Sequence, residues 1–236
     1  MATVILARHG RTNANTGGVL AGRSKGVHLD EVGEQQAAAA GIRVSGVPLV
    51  AIVSSPMDRC RQTAGHISKA QAARVAVRTD RDLAEVDYGE WTGQSMKDLV
   101  KLPLWKTIQA HPAGVVFPGG ESMAKMSARV VSAVRRWDAQ IEAEHGSGAV
   151  WLLSSHGDPI KAVLADALGM HLDAFQRIVV DPGSLSVVHY SPLRPFVLTM
   201  NSKEGDLAHL GARPQTKSPR GRRGDAVVGG GAGPSA

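Results

Sequence analysis

Short apolar runs alternate along this chain with longer stretches in which apolar residues recur every third or fourth position. Thr3-Val4-Ile5-Leu6-Ala7 is apolar and β-branched, which reads as a buried parallel strand. Leu49 to Val53 and Ala149 to Leu153 repeat that pattern, and Val75 to Val77 is a shorter version of it. Between them lie helical signals. Asp30 is a good N-cap for a helix running to about Ser45. Ser55-Pro56 predicts a second helix, with Ser55 as N-cap, Pro56 at the first helical position and Asp58 at the third. That helix carries Arg59 in its first turns. A long amphipathic helix follows Ser122, with Met123, Met126, Val130, Val134, Trp137 and Ile141 on one face, a stripe that reads as core. Asp158-Pro159 caps another helix to about Leu168. Ser184 to Tyr190 and Phe196 to Met200 read as a closing antiparallel hairpin. Leu83 to Trp91 reads as irregular, and residues 95–120, with three prolines, give no assignment. The alternation predicts an α/β fold with a largely parallel sheet.

Composition narrows the setting. The chain has 236 residues, 43% hydrophobic and 20% charged, which suits one globular domain with a full core, or a domain plus a tail. The division expected is a domain over 1–211 and a disordered tail over 212–236, rich in Gly, Pro and Ser. The formal charge is +6. The tail holds Arg213, Lys217, Arg220, Arg222 and Arg223 against one acid, Asp225, so most of that charge lies outside the domain. A nearly neutral body argues against a nucleic-acid binder. The single cysteine, Cys60, rules out an internal disulfide and argues for a reducing compartment, hence a cytoplasmic protein. Cys60 reads as a helix residue, because the arginine that a cysteine phosphatase loop needs six positions later is replaced by His66. The N-terminal apolar stretch is too short for a signal peptide, and no stretch is long enough to span a membrane.

The chemistry concentrates at two strand ends. Arg8-His9-Gly10 ends the first apolar run, and Ser155-His156-Gly157 ends a late one. Ligands of open α/β sheets bind at the carboxyl ends of the strands. On these residues the chain resembles the histidine phosphatase superfamily, the group that includes cofactor-dependent phosphoglycerate mutases and broad acid phosphatases. The resemblance runs from about Thr3 to Met200. It rests on Arg8-His9-Gly10-Arg11-Thr12, Asn15, Gly22, the helix start Leu29-Asp30-x-x-Gly33-x-x-Gln36-Ala37, and Ser54-Ser55-Pro56-x-x-Arg59-x-x-Gln62-Thr63-Ala64. It continues through Leu83-x-Glu85-x-x-x-Gly89-Glu90-Trp91-x-Gly93, Pro118-Gly119-Gly120-Glu121-Ser122 and Ser155-His156-Gly157. It implies a three-layer α/β/α sandwich with a mostly parallel central sheet and an antiparallel strand near the C-terminus. It also implies a phosphohistidine intermediate, formed without metal or other cofactor.

The residue types suit that chemistry. A phosphate ester is an anion, and arginine is the side chain best shaped to neutralise it, so Arg8 and Arg59 are the expected phosphate binders. Neutral histidine with one free ring nitrogen is a competent nucleophile, which assigns His9, its other nitrogen donating to a backbone carbonyl. His156 is expected to donate to the phosphoryl oxygens. Glu85 is the candidate acid for the leaving alkoxide and the later base for water. Thr12, Asn15 and Gly157 are further phosphate-binding candidates, and Gly10 and Gly157 are expected to let backbone approach the ligand. Arg11 stands where the family more often has an acid, and is expected to pair with Glu31 or Asp30.

Function then divides. A mutase needs extra cations over its pocket, and the family's mutases carry an arginine pair in the insert after the glutamate motif. Residues 94–119 hold Lys97, Lys101 and Lys106 but no arginine, and carry Leu102, Leu104, Trp105, Val115, Val116 and Phe117. That reads as the lid of a phosphatase with a partly apolar pocket. The expected partner is a small phosphorylated substrate, with a homodimer left open. A phosphomutase is the alternative. A non-catalytic module is disfavoured because both arginines and both histidines are intact.

Overall fold

A computed structural model describes residues 2–211; the tail expected over 212–236 lies outside the described residues. The strands are β1 (Thr3–Arg8), β2 (Leu49–Ser54), β3 (Val77–Thr79), β4 (Val150–Ser155), β5 (Leu185–Tyr190) and β6 (Pro195–Ser202). They form one six-stranded sheet in the order β3-β2-β4-β1-β5-β6. β1 to β4 pair in parallel, and β5 runs antiparallel to both its neighbours, so the expected late antiparallel strand is β5. The helices are α1 (Asn13–Thr16), α2 (Glu31–Val44), α3 (Asp58–Ala70), α4 (Met96–Leu99), α5 (Pro103–Ala110), α6 (Met123–His145) and α7 (Gly157–Ala167), with short 3-10 turns between.

The side-chain period of a strand is two, so each buried strand feeds two faces. Val4, Leu6, Trp151 and Leu153 pack with Met126, Val130 and Val134 of α6 and Ile160 and Val163 of α7. Ile5, Ala7, Val150 and Leu152 pack with Ala40 and Val44 of α2 and Ala64 and Ile67 of α3. Two cores, one on each face, make the α/β/α sandwich that the sequence implied. Among the described residues no helix is long and apolar enough to cross a membrane.

Helix starts separate where the sequence reads truly from where it misleads. Asp30 does cap α2, accepting from the Gly33 N–H at 2.8 Å, and Ser122 caps α6 through the Lys125 N–H at 3.0 Å. Ser55 does not cap α3. The helix begins at Asp58 with Met57 at its N-cap, and Ser55 Oγ instead meets His156 Nε2 at 2.7 Å and the Met57 N–H at 3.4 Å. Likewise α7 begins at Gly157 with His156 in the N-cap position, and Asp158 lies inside the first turn. β3 sits two residues later than the apolar triplet suggested. Residues 95–120 hold the small helices α4 and α5, of 4 and 8 residues, too short for a periodic signal to emerge.

Candidate active site

β1 and β4 are adjacent, with Arg8 opposite Ser155. The residue that follows each strand therefore emerges at the same place. His9 and His156 lie with ring centroids 5.2 Å apart at 68°. The first turn of α3 brings Arg59 between them: its Nε donates to His9 Nε2 at 3.2 Å and its Nη2 to His156 Nδ1 at 3.1 Å. That same Nη2 donates to the Gly22 carbonyl at 2.7 Å, so the glycine-rich loop after α1 is tied to the site.

The protonation of His9 follows from its partners. Nδ1 is 2.7 Å from the Gly10 carbonyl, which can only accept, so Nδ1 carries the proton and Nε2 keeps its lone pair. Burial, then the Arg59 and Arg8 charges, hold this ring well below the ordinary histidine pKa, against the Gly10 hydrogen bond. His9 is thus a neutral imidazole whose unprotonated Nε2 accepts from Arg59 Nε at 3.2 Å, a contact that attack on phosphorus must exchange for the new bond. His156 is held neutral in the same way, by burial first and then Arg59, His9 and Arg8. Its Nδ1 accepts from Arg59, so its Nε2 bears the proton and donates to Ser55 Oγ.

Arg8, His9, Thr12, Asn15, Arg59, Glu85 and Gly157 line one cavity of about 500 Å³. His156 stands behind it with 0% exposure, both ring nitrogens engaged with protein. In this arrangement His156 supports Arg59 instead of facing the cavity. Arg8 Nη1 donates to the Val180 carbonyl. Its Nε, and Nη1 of Arg59, are buried nitrogens with no hydrogen-bond partner. A buried cationic donor left unpaired is costly, and an anion in the cavity would pair both. Gly157 lies against Arg8: a Cβ there would meet the guanidinium carbon at 3.6 Å, an ordinary contact. Thr12 and Asn15 cap α1 reciprocally, with the Thr12 N–H donating to Asn15 Oδ1 at 3.0 Å.

Glu85 enters from the irregular segment before Trp91. Burial and the neighbouring Asp158 charge raise its pKa from 4.5 to about 7, against the Val86 amide, Arg59 and Arg8. Asp158 also accepts from the Tyr88 hydroxyl at 2.9 Å. The rest of the cavity is apolar on one side, with Leu20, Met96, Trp105, Ile108, Phe117 and Ile178, and polar on another, with Lys161 and Gln176. Of the apolar lid residues singled out in the sequence, Trp105 and Phe117 reach it. Val115 is buried in the core, while Leu102 and Val116 face solvent.

Some expectations change here. Gly10 does not serve ligand approach: a Cβ on it would sit 2.3 Å from the Gly33 carbonyl oxygen, so its smallness is needed for packing against α2. Arg11 does pair, with Asp30 at 2.8 Å. Cys60 is a buried α3 residue whose thiol burial pushes up to about 12. Three residues without an expected role surround Glu85: Arg23, Glu121 and Arg129. Glu121 and its neighbours Gly119 and Gly120 stood in a quoted motif, but nothing in the sequence paired that motif with an arginine eight residues on. A wider hollow of about 590 Å³, bounded by His28, Pro56, Asp58, Arg61, Gln62, Val77 and Thr79, lies apart from this chemistry; its Arg61 faces Asp58 at 3.7 Å. Among the described residues no three His, Cys, Asp or Glu side chains converge as a metal-binding group.

Comparison with known proteins agrees with this geometry. Residues 4–203 match the family described as the histidine phosphatase superfamily, branch 1. Phosphoserine phosphatase 1 of Hydrogenobacter thermophilus is 31% identical over 206 residues, covering 85% of this chain and 92% of that protein. A probable phosphoglycerate mutase of Yersinia enterocolitica is 32% identical over 214 residues, 89% of this chain and 95% of that one. In fold, phosphoserine phosphatase from Entamoeba histolytica, solved in complex with 3-phosphoglyceric acid, superposes with a TM-score of 0.75 at 24% identity, covering 86% of this chain and 98% of its own. With the match spanning nearly all the described residues, the chain belongs to the histidine phosphatase superfamily, branch 1.

Proposed function

We propose that this protein is a phosphomonoester hydrolase that acts on a small phosphorylated metabolite through a phosphohistidine, without a metal. The observation that carries the reading is the cavity floor. A neutral imidazole with an unprotonated Nε2, held by Arg59, lies beside two arginines, each of which keeps a buried nitrogen unpaired. In the first step His9 Nε2 attacks phosphorus and the bond from phosphorus to the ester oxygen breaks. Arg8 and Arg59, with Thr12, Asn15 and the Gly157 end of α7, hold the equatorial oxygens. The departing oxygen takes the Glu85 proton. In the second step Glu85, now a carboxylate, takes a proton from water as the water attacks phosphorus and the bond from phosphorus to His9 Nε2 breaks. Inorganic phosphate leaves, and His9 is again neutral and Glu85 again protonated. A pKa near 7 lets one carboxyl serve both steps. Donation of a hydrogen bond by His156 to the phosphoryl group requires its ring to leave Ser55; in the arrangement seen it positions Arg59.

Hydrolysis is favoured over phosphoryl transfer to a second substrate by the lid. Its contributions to the cavity wall are Met96, Trp105, Ile108, Gln109 and Phe117, none of them cationic. Lys97, Lys101 and Lys106 do not reach the wall. The mutase alternative keeps the support of the Yersinia relative's name. A panel of phosphomonoesters, assayed for phosphate release beside the interconversion of 2- and 3-phosphoglycerate, tests the choice. Release faster than interconversion supports hydrolysis; the reverse overturns it. Metal independence is tested in the same assay by EDTA. The reading also places the protein in the cytoplasm, on its single buried cysteine.

A further inference from the structure

Residues 84–88 belong to neither helix nor strand, so the carbonyls around Glu85 have no ladder to join. Two guanidinium groups take them instead. Arg129, from α6, donates through Nη1 to the Asp82 carbonyl at 2.6 Å and the Ala84 carbonyl at 2.8 Å. Its Nη2 donates to the Glu85 carbonyl at 3.0 Å. Arg23 donates to that same Glu85 carbonyl through Nε at 2.9 Å. Glu121 joins the two arginines. It takes Arg129 Nε and Nη2 at 3.0 and 2.6 Å, Arg23 Nη2 at 2.8 Å and the Asp87 N–H at 2.9 Å. Burial pushes the Glu121 carboxyl up, and Arg129, the Asp87 amide and Arg23 more than reverse this, so it stays ionised.

This clamp reaches the other half of the site. Arg23 follows Gly22, whose carbonyl accepts from Arg59 Nη2 at 2.7 Å. Adjacent residues thus hold the phosphate-side arginine and the acid-side peptide. A buried charge cluster of this size is poor evidence for stability by itself, because desolvation offsets much of its attraction. Its geometry has a sharper consequence: it fixes the backbone from which the Glu85 carboxyl projects, on both sides of that residue.

We propose that Arg129 and Arg23, joined through Glu121, are positioning residues that set the reach of the Glu85 carboxyl to the leaving oxygen. The inference rests on the reading of Glu85 as proton donor. Misplacement by a fraction of a bond length weakens proton transfer, while in the first step a leaving group that needs no proton is indifferent to it.

The test compares an alkyl phosphate with p-nitrophenyl phosphate in the wild type, Glu85→Gln, Arg23→Met, Arg129→Lys and Arg129→Met. For Arg23→Met and Arg129→Met the first-step rate with the alkyl phosphate, read in a single turnover as release of the alcohol, should fall roughly 10–100-fold, and that with p-nitrophenyl phosphate about tenfold less. KM for both substrates should stay within about threefold, and Arg129→Lys, which keeps the charge, should recover part of the alkyl rate. If Arg129→Met fails to fold, Arg23→Met carries the test, since that side chain is 35% exposed. Equal losses of the first-step rate on both substrates, or a change confined to KM, would overturn the inference. If Glu85→Gln itself makes no distinction between leaving groups, the fault lies with the acid assignment, and the proposed function is wrong at that point. If Glu85→Gln does distinguish and both arginine variants do not, only the positioning role falls.

Discussion

Replacing Glu85 by glutamine should alter rate and stability in opposite directions. The side chain lines the cavity, and its pKa is raised from 4.5 to about 7, by burial first and by Asp158 second. A group whose folded pKa lies above its unfolded value holds its proton more tightly when folded. Stability is therefore lost as pH rises from 4.5 and the unfolded chain ionises, and the loss levels off above 7. At about 1.4 kcal/mol per decade, the displacement corresponds to about 3 kcal/mol at full ionisation. Glu85 is only partly buried and opens on a cavity that admits water, so about 1–2 kcal/mol is the better expectation. Glutamine keeps the shape and removes the titration. Urea denaturation of both proteins from pH 4.5 to 8 should show the variant gaining on the wild type across this window and holding its lead above it. Over the same range the wild-type kcat on alkyl phosphates should fall above pH 7, as the proton donor is lost. The variant should lack that limb and turn over alkyl phosphates about 10²–10⁴-fold more slowly. A stability difference that stays flat with pH, or an alkaline limb that survives the substitution, would refute the assignment of the raised pKa to Glu85.

The other expectations follow from particular contacts. Gly33→Ala would place a Cβ 2.0 Å from the Arg11 carbonyl oxygen, with only backbone to give way, and should destabilise the fold by about 3 kcal/mol or more; thermal unfolding should show a Tm lower by roughly 6–12 °C, and an unchanged Tm would mean the loop after β1 yields easily. Phosphate release should be the same with and without EDTA, since Arg8 and Arg59 supply the positive charge; activity lost in EDTA and restored by a divalent ion would contradict this. The acid limb of the rate profile should lie below the ordinary histidine range, because burial and both arginines hold His9 neutral; a limb near 6.5, with the His9 ring titrating there by NMR, would mean the ring is not so perturbed.

Much of the sheet was legible because β1, β2 and β4 are buried on both faces and therefore read as unbroken apolar runs. The stripe on α6 was legible for the complementary reason: one face of a 23-residue helix is buried and the rest is wet. The site's arginines and histidines were visible because each ends or follows a strand or opens a helix. What misled was a residue with two possible uses. Ser55 has the chemistry of an N-cap, but its hydroxyl is taken by His156. His156 shows the same limit, since a sequence places it at the strand end but cannot say that its ring turns behind Arg59. Arg129 was hidden because an arginine on the polar side of an amphipathic helix looks like any solvated charge. Its partners, the Asp82, Ala84 and Glu85 carbonyls, are backbone atoms that no residue pattern announces.

The central claim is that His9 Nε2 becomes covalently phosphorylated. Rapid quenching of enzyme mixed with a labelled phosphomonoester, followed by peptide mapping, tests it directly. The account expects an acid-labile, base-stable phosphoryl group on the peptide containing His9, formed and consumed at rates that match turnover, and absent from His9→Ala. Label found on another residue, or turnover retained in His9→Ala, would contradict it.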